Sequence, residues 1–381
     1  MANCYVCGEE ITKDNRTKEH ILLNAIGGRL KSRSLICITC NSTFGHDIDD
    51  ALATQLNFLA NQLNISRDDG NPPQPISAVS ESGMKISVNP GGKPVVTKPE
   101  WNVKKIGEQF HVNVKARTMK DARNALKAIK KELPQIDIDE TLKQYVKNTS
   151  DYMDEKAIFE IQFGGEAAFR SVCKMATNFY MYKGGDRQRI QHLLPYIQNG
   201  TGLSPVWFYY NGQEDVISKE PKQVVHGLVV CGDSNQRMLW SYIELFNAFR
   251  FVVVLNDQYD GDDFCHSYVY DVLNVCEIPR RVQMQTDRSF ILKCVQANPN
   301  DDYYQKVINE LVNELGKVIA ISQEKQRTEH QENLIIDGIK NSLGKHPEGT
   351  IITPEMASEA SDEIIKRILP FILHTMPKPE N

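Results

Sequence analysis

Apolar residues three or four positions apart predict several helices, and the most regular stripe follows the first forty residues. Its members are Ile48, Leu52, Leu56, Leu59 and Leu63. This spacing is typical of a helix that buries one face. Asp47 stands just before the stripe, where a carboxylate can cap or charge-complement the start of a helix. Further helices are predicted over residues 119–133, 165–182, 186–197, 301–343 and 354–373.

Apolar runs that alternate with polar residues predict strands through the middle of the chain. They cover residues 84–88, 95–97, 110–115, 157–163, 206–210, 224–231, 238–243, 251–255 and 267–273. The residues 89–92 read Asn-Pro-Gly-Gly, which is typical of the turn of a hairpin. The mixture of strands and helices predicts the α+β fold class, with a helical C-terminal part.

Length and composition set the organisation of the chain. It has 381 residues, which is enough for about two to three domains. Hydrophobic residues make up 41% and charged residues 24%, as in ordinary globular proteins. The predicted parts are an N-terminal module at 1–65, a proline-rich linker at 66–77, a small basic α+β region at 78–150, an α+β domain at 151–300 and C-terminal helices at 301–381.

The overall charge restricts the possible partners. The net charge is -5 and the isoelectric point is near 6.0, so any contact with nucleic acid must be local rather than spread over the whole surface. No apolar run approaches the roughly 18 to 20 residues that span a bilayer. The N-terminus has no apolar stretch of the signal-peptide kind. These features predict a cytoplasmic protein that does not enter a membrane.

Four of the nine cysteines form two C-x-x-C pairs, Cys4 with Cys7 and Cys37 with Cys40. In a reducing compartment such pairs favour a metal over disulfides. Four sulfurs suit a tetrahedral Zn²⁺. A pair of redox dithiols, or unligated cysteines, is the alternative. The other five are interpreted as small buried hydrophobic residues: Cys173, Cys231, Cys265, Cys276 and Cys294.

A carboxylate and an imidazole, Glu19 and His20, stand between the two cysteine pairs beside a short apolar run. Such a pair suits a chemical site better than the core of a sheet. Asn41 directly follows the second pair, and closing the cysteines on one ion brings Asn41 back toward Glu19 and His20. Oxygen ligands suit Mg²⁺ or Mn²⁺. A neutral histidine near such an ion can take a proton from water.

The order of these residues resembles the HNH endonuclease superfamily, in its branch with four zinc-binding cysteines. The resemblance covers Cys4 to Asp49, about one-eighth of the chain. It implies a ββα-metal unit, in which a hairpin and a helix hold one catalytic divalent ion. It also implies that His20 is the general base, that Glu19 and Asn41 ligate Mg²⁺ or Mn²⁺, and that the four paired cysteines hold a separate structural zinc.

One position departs from the pattern of that family, which often has an asparagine shortly before the second cysteine pair to orient the base. Here Ser34 stands near that place, so either Ser34 or a backbone carbonyl is expected to orient His20. His46 could be a further ligand or a phosphate contact, and is otherwise a surface histidine. Asp49 is expected to join its helix to the Gly27-Gly28 turn rather than to bind metal.

Basic residues flank the predicted site and also form a second cluster. Those at the site are Arg16, Lys18, Arg29, Lys31 and Arg33. They could position phosphates without reading the base sequence, or they could belong to a solvated loop. Residues 104–131 carry nine Lys or Arg against two acidic residues. This second region is either a nucleic-acid track or the solvated face of a helix.

These features predict a metal-dependent HNH endonuclease that hydrolyses phosphodiester bonds in nucleic acid, with DNA as the expected substrate. A nuclease module beside a large body also resembles restriction or phage-defence effectors. One such site cuts one strand, so a homodimer would supply a second site. Two alternatives stay open. One is a zinc-containing nucleic-acid-binding protein with a degenerate catalytic site, and the other is a nuclease gated by a ligand bound to the C-terminal region.

Overall fold

The computed structural model describes residues 2–107, 109–116, 118–145, 155–209, 215–279, 282, 287–296 and 300–376. The chain divides into two compact units. The first comprises Met1–Gln74 with Ile161–Ser322, and the second comprises Pro75–Glu160 with Gln323–Asn381. This division differs from the linear boundaries expected from the sequence, because the chain leaves the first unit after Gln74 and returns to it at Ile161.

The N-terminal segment contains a short hairpin followed by helices. Strand β1 (Glu19–His20) pairs antiparallel with β2 (Lys31–Ser32). Helices α1 (Ile38–His46) and α2 (Ile48–Gln62) come next. This is the order of elements that the family resemblance implied. All five members of the predicted apolar stripe are buried, which confirms the stripe as the packed face of α2 and of Leu63, the residue that directly follows the helix.

The turn of the hairpin requires its two glycines. Gly27 ends the 3-10 turn Asn24–Ile26 with a φ of 92°, in the left-handed region that favours glycine. A Cβ on Gly28 would lie 2.1 Å from the backbone oxygen of Leu22. The chain can therefore reverse tightly here, and the reversal brings Lys31 opposite His20.

The segment of the second unit that lies between residues 75 and 160 contains two small antiparallel sheets and two helices. Its elements are β3 (Ile76–Ser80), β4 (Lys85–Asn89), β5 (Lys93–Val96), β6 (Glu100–Ile106), β7 (Gln109–Lys115), α3 (Met119–Lys130), α4 (Ile138–Tyr145) and β8 (Ala157–Ile158). The four-stranded sheet has the order β5-β4-β3-β8, and β6 pairs with β7. The Asn-Pro-Gly-Gly segment joins β4 to β5, as predicted.

The remaining elements include a six-stranded sheet and long C-terminal helices. They are α5 (Glu166–Tyr182), α6 (Leu194–Asn199), β9 (Val206–Phe208), β10 (Val225–Asp233), β11 (Met238–Leu245), β12 (Phe249–Asn256), β13 (Phe264–Asp271), β14 (Cys276–Glu277), α7 (Arg288–Gln296), α8 (Asp302–Leu343) and α9 (Pro354–Thr375). The sheet is antiparallel, in the order β14-β13-β10-β11-β12-β9. The α+β class is confirmed.

Both faces of the six-stranded sheet are covered, because nearly every residue of β10 and β11 is buried. Helix α5 packs on one side, against β10, β11 and β12. Ile291 and Cys294 of α7 belong to a core cluster with Val229 and Trp240 on the sheet. Among the helices of the described residues, none is both long and apolar enough to cross a membrane.

Two predicted elements differ from the structure. The strand expected over 157–163 is formed only at Ala157–Ile158, because the chain passes into the first unit at Ile161. The helix expected over 186–197 is replaced by two 3-10 turns and then α6. Pro195 lies in the first turn of α6, which is the one part of a helix that tolerates a proline without losing a hydrogen bond.

The five scattered cysteines do not share one environment. Cys173 and Cys294 are buried, as expected. Cys231 of β10 and Cys265 of β13 stand opposite each other in the sheet and form a disulfide. Cys276 is exposed. The interpretation of all five as buried hydrophobic residues was therefore wrong for Cys265 and Cys276, because strand register, which spacing alone does not give, sets their surroundings.

A buried histidine joins the sheet to the N-terminal hairpin. The ring of His226 in β10 is completely buried, and its Nε2 lies 2.9 Å from the backbone oxygen of Ile26. The backbone N–H of Phe246 donates to Nδ1 at 3.2 Å. One ring nitrogen therefore donates and the other accepts, which requires the neutral form. Burial lowers the pKa of His226 from its usual 6.5 to about 4.

The variant His226→Gln is expected to lose less stability in acid than the wild-type protein. Between pH 6.5 and 4 this histidine binds a proton in the unfolded chain but stays neutral in the folded protein. The contribution of His226 to the free energy of unfolding is therefore present above pH 6.5 and lost toward pH 4. From pH 6.5 to 5 the loss is about 2 kcal/mol. Urea unfolding at pH 7 and pH 5 measures it, with exposed His346→Gln as the matched control. Equal acid sensitivity in all three proteins would contradict the prediction.

Candidate functional site

Four sulfur atoms lie together at one end of the N-terminal segment. The Sγ atoms of Cys4, Cys7, Cys37 and Cys40 are all within 4.8 Å of one another. Cys7 Sγ and Cys37 Sγ are 3.8 Å apart. Two ligands of a tetrahedral zinc with bonds of about 2.3 Å would have that separation. The donor set and its spacing therefore fit a structural zinc ion.

Local backbone structure brings these cysteines together. The N–H of Tyr5 donates to the oxygen of Leu35 at 3.0 Å, so the two C-x-x-C segments lie side by side. Cys37 immediately precedes α1, whose first turn carries Cys40. Burial opposes ionisation of the Cys4 thiol, but backbone hydrogen bonds from Cys7 and Cys37 outweigh it and lower the pKa of Cys4. A lowered pKa favours the thiolate, which is the form that binds metal.

The carboxylate of Glu19 points into the protein. Successive side chains of a strand point to opposite faces, and in β1 Glu19 is 2% exposed while the His20 side chain is 21% exposed. Glu19 Oε1 accepts from Lys174 Nζ and from Asn178 Nδ2, both at 2.6 Å. Among the described residues, both contacts fall on Oε1. The second oxygen, Oε2, is therefore the one available to another cation.

Lys174 lies between two carboxylates. Its Nζ is 2.5 Å from Asp49 Oδ2 as well as 2.6 Å from Glu19, and the residue is 1% exposed. Burial lowers the pKa of Lys174, but Glu19 and Asp49 outweigh it and hold the pKa above its ordinary value. Burial raises the pKa of Glu19. A buried ammonium is tolerable only with such partners.

Neighbouring polar groups complete this buried network. Tyr5 donates its hydroxyl to Asn178 Oδ1 at 2.8 Å, and Ser171 donates to Asp49 Oδ1 at 2.8 Å. The expectation that Asp49 joins its helix to the glycine turn was wrong. Asp49 instead joins α2 to α5, because Ser171 and Lys174 one turn apart on α5 both reach its carboxylate.

Asn41 lies beside the strand that carries Glu19. Its Nδ2 donates to Thr17 Oγ1 at 3.0 Å and to the backbone oxygen of Lys18 at 3.4 Å. These contacts use the nitrogen of the amide. They leave the carbonyl oxygen, Oδ1, as the end of Asn41 that could ligate a hard cation.

His20 faces a cluster of charged residues on the other side of the strand. Its Nε2 lies 3.4 Å from Asp68 Oδ2. Asp68 also contacts Lys31 Nζ at 2.5 Å and Arg29 Nη1 at 3.3 Å, and its backbone N–H donates to Asn24 Oδ1 at 2.7 Å. The Lys31 ammonium is the main reason why the pKa of Asp68 falls to about 2. Asp68 is therefore an anion that the loop holds against the imidazole.

The five predicted phosphate contacts divide into two kinds. Arg16, Lys18 and Arg33 are exposed, whereas Arg29 and Lys31 are partly buried and share the Asp68 carboxylate. The three exposed cations are therefore free to reach an anionic ligand without first breaking a contact with Asp68.

The remaining predicted residues, His46 and Ser34, form no hydrogen bond with Glu19, His20 or Asn41 among the described residues. His46, at the end of α1, is exposed. Ser34 is also exposed, and its contacts are with Ser32: Oγ to Oγ at 3.1 Å, and backbone N–H to Ser32 Oγ at 3.2 Å. In the described part of the chain, the four cysteines are the one group of three or more His, Cys, Asp or Glu side chains close enough to hold an ion.

Three residues of this region were missed from the sequence: Asp68, Lys174 and Asn178. Asp68 lies in a segment of turn-forming residues that was interpreted as a linker, so nothing in the pattern distinguishes it. Lys174 does carry a signal, since it interrupts the apolar side of a predicted helix between Cys173 and Met175. A lone charge on a buried helix face calls for a buried partner of opposite charge.

The family comparison agrees with this geometry. Residues 4–57 match the family model described as HNH endonuclease. This segment is similar to HNH endonucleases, and we call it the HNH module. The HNH module thus includes both cysteine pairs, the hairpin and most of α2, and it makes up a small part of the chain. No curated protein and no solved structure matches the chain.

The purified protein is expected to contain one zinc ion per chain, and Cys40→Ser is expected to lose most of it. Removing one of four thiolates leaves an incomplete tetrahedral set. Elemental analysis after dialysis measures the metal, and thermal unfolding reports the accompanying loss of stability. Cys276→Ser, at an exposed cysteine outside the cluster, is the matched control. Full zinc content in Cys40→Ser would contradict the assignment.

Lys174→Met is expected to lower the free energy of unfolding by about 3–5 kcal/mol, because it leaves the buried carboxylate of Glu19 and the partly buried carboxylate of Asp49 without a counter-charge. Ser171→Ala removes one hydrogen bond from Asp49 and should cost about 1 kcal/mol. Adding Glu19→Gln to Lys174→Met should restore part of the loss. Urea unfolding at pH 7 measures all of these variants. A Lys174→Met protein as stable as the wild type would show that the ion pair contributes nothing.

Proposed function

We propose that this protein is a metal-dependent endonuclease that hydrolyses phosphodiester bonds, with DNA as its substrate. One observation carries the proposal: inside the HNH module, β1 presents the His20 imidazole to the Asp68 carboxylate on one face and Glu19 to a buried cation on the other. The first arrangement suits a general base. The second suits a carboxylate that is fixed in orientation.

His20 is the proposed general base. Burial lowers the pKa of His20, with Asp68 acting in the opposite direction, so the ring is neutral near pH 7 and able to take a proton. A hydrogen on Nε2, shared with Asp68, leaves Nδ1 as the basic nitrogen. Asp68 thus takes the orienting part that the sequence assigned to Ser34 or a backbone carbonyl.

Glu19 and Asn41 are the proposed ligands of Mg²⁺ or Mn²⁺, through Oε2 and Oδ1. The other oxygen of Glu19 is held by Lys174 and Asn178, and the nitrogen of Asn41 by the Thr17 hydroxyl and the backbone oxygen of Lys18. A divalent ion bound there would stabilise the charge of the phosphate and of the leaving oxygen. In this proposal Lys174 is a positioning residue, because it acts through Glu19.

The exposed cations Arg16, Lys18 and Arg33 are the proposed phosphate contacts nearest the module. Lysine and arginine there would hold the backbone of the substrate without selecting a base sequence. Arg29 and Lys31 would contribute once a phosphate competes with Asp68 for them. His46, exposed at the end of α1, is proposed as a further phosphate contact or ligand.

From the sequence we also propose a role in restriction or phage defence, a cytoplasmic location and a homodimer.

A second candidate function is a zinc-containing module that binds nucleic acid without cutting it. One observation favours it: a protein ammonium, that of Lys174, already contacts the carboxylate proposed to ligate the catalytic ion. An assay for cleavage of nucleic acid decides between the two functions.

Supercoiled plasmid with Mg²⁺ or Mn²⁺ is expected to be nicked by the wild-type protein and not by His20→Ala, whose rate should fall about 10²- to 10⁴-fold when the base is removed. Asp68→Asn should give a smaller loss and shift the pH dependence of the rate, since the charge beside the ring changes. The fraction of plasmid that is nicked, read from a gel at successive times, measures each rate.

Exposed His346→Ala is the matched control for the loss of an imidazole. Nicking that survives in His20→Ala would reject His20 as the base. Wild-type protein that binds plasmid but cuts neither DNA nor RNA with either metal would favour the binding module instead.

A further inference from the structure

We infer that helix α3 presents a surface that binds the sugar–phosphate backbone of double-stranded DNA, separate from the HNH module. The surface, called here the α3 basic face, is defined by Lys120, Arg123, Lys127, Lys130 and Lys131. The choice of DNA rests on the proposed function. The charge, geometry and surroundings of the helix support the inference that this face binds a phosphate backbone.

The five cations lie on one side of the helix. At about 3.6 residues per turn, each residue advances by about 100°, so positions 120, 123, 127, 130 and 131 fall within a sector of about 100°. The neighbouring acidic residues Asp121 and Glu132 fall outside that sector. The arrangement is therefore a one-sided concentration of positive charge and not a mixed polar surface.

The cations are exposed and mostly without acidic partners. All five are exposed in the structure. Arg123 pairs with Asp139 at 2.8 Å, whereas no ion pair to the other four is found among the described residues. Their charge is thus directed to solvent. The chain as a whole carries a net charge of -5, so this face differs in sign from the average of the molecule.

The opposite side of α3 is fixed to the β6–β7 hairpin. Leu126 and Ile129 of α3 are buried in a cluster against Val103, Val112 and Val114 of the two strands. Thr118 caps the helix by accepting from the N–H of Asp121 at 3.1 Å. The lysines are therefore presented by a packed and capped helix, which lowers the entropy lost when they contact an extended anion.

The chemistry of the face favours a duplex over other anionic partners. A membrane-binding helix needs a free apolar face, but that of α3 is packed against the hairpin. Single-stranded nucleic acid is held by stacking on aromatic rings. None of the five positions is aromatic, and the exposed rings of Trp101 and Phe110 belong to the β6–β7 hairpin and not to α3. A protein interface needs an apolar centre, whereas all five positions of the α3 basic face are Lys or Arg. Twelve residues span about 18 Å, over which a duplex presents on the order of ten phosphates.

The test is the binding of a fluorescent 30-base-pair duplex, followed by anisotropy between 0.05 and 0.3 M KCl without added divalent cation. The test variant is Lys120→Ala, Lys127→Ala and Lys130→Ala together. The matched control changes three exposed lysines of the same unit that lie outside α3 and the hairpin: Lys85→Ala, Lys98→Ala and Lys156→Ala. Thermal unfolding of both variants shows that each is folded.

The α3 variant is expected to bind roughly 100-fold more weakly at 0.1 M salt, and the slope of log affinity against log salt should fall by about 3, one for each lost phosphate contact. The control should stay within about twofold of the wild type. An α3 variant that matches the wild type in affinity and slope overturns the inference. So does tighter binding to a single strand of the same length, or binding to vesicles rich in phosphatidylserine but not to the duplex.

Plasmid nicking separates this inference from the proposed function. Binding without divalent cation reports on the α3 basic face, whereas nicking that depends on His20 reports on the HNH module. Nicking with unchanged binding in the α3 variant would reject only the α3 surface. Weaker binding in that variant, in a protein that never nicks, would reject only the nuclease.

Discussion

Lys174 carries a charge that water does not reach, and it holds two carboxylates from separate parts of the chain. Glu19 belongs to the hairpin and Asp49 to α2, while Lys174 belongs to α5. Because none of these charges is stable in the interior alone, the three elements must meet in one arrangement. The direction of the Glu19 carboxylate, and hence the proposed catalytic site, depends on this contact.

The cysteine cluster and the Lys174 network act over different distances along the chain. The four cysteines lie within forty residues and close the N-terminal segment on itself. The contacts of α5 join that segment to the body, among them Arg170 with Asp47 at 3.1 Å. One contact outside α5 does the same: Arg187 Nε donates to the backbone oxygen of Tyr5 at 2.6 Å. The cysteine cluster sets the local geometry of the N-terminal segment. The contacts with the body fix which residues that segment packs against.

Local patterns predicted much of the fold. The apolar stripe of α2, the turn between β4 and β5, helices α3, α5, α8 and α9 and most strands of the large sheet follow from spacing that short segments contain. The two C-x-x-C pairs predicted the cysteine cluster in the same way. Helices α4 and α7 and the strands β3 and β6 were missed, since their apolar residues are few or their runs are short.

The partners of the site residues could not be predicted, because each contact joins distant positions. Asn178 is 159 positions from Glu19, and Lys174 is 125 from Asp49. Asp68 is nearer, 48 positions from His20, but its segment has no periodicity that would place it. Asp47 is a further residue whose partner could not be predicted from the sequence. It stands at the predicted helix start, yet its carboxylate accepts from Arg170 and not from the helix.

The segment that carries the family signature is not, by itself, a unit that could be moved to another protein. A fragment ending near residue 65 would keep its cysteines but lose α5, and with it the counter-charge of Glu19. It would also lose the His226 ring, whose Nε2 donates to the backbone oxygen of Ile26. A change at Lys174 or Asn178 would therefore disturb the Glu19 carboxylate, so the sequence of α5 is constrained by chemistry located in the first fifty residues.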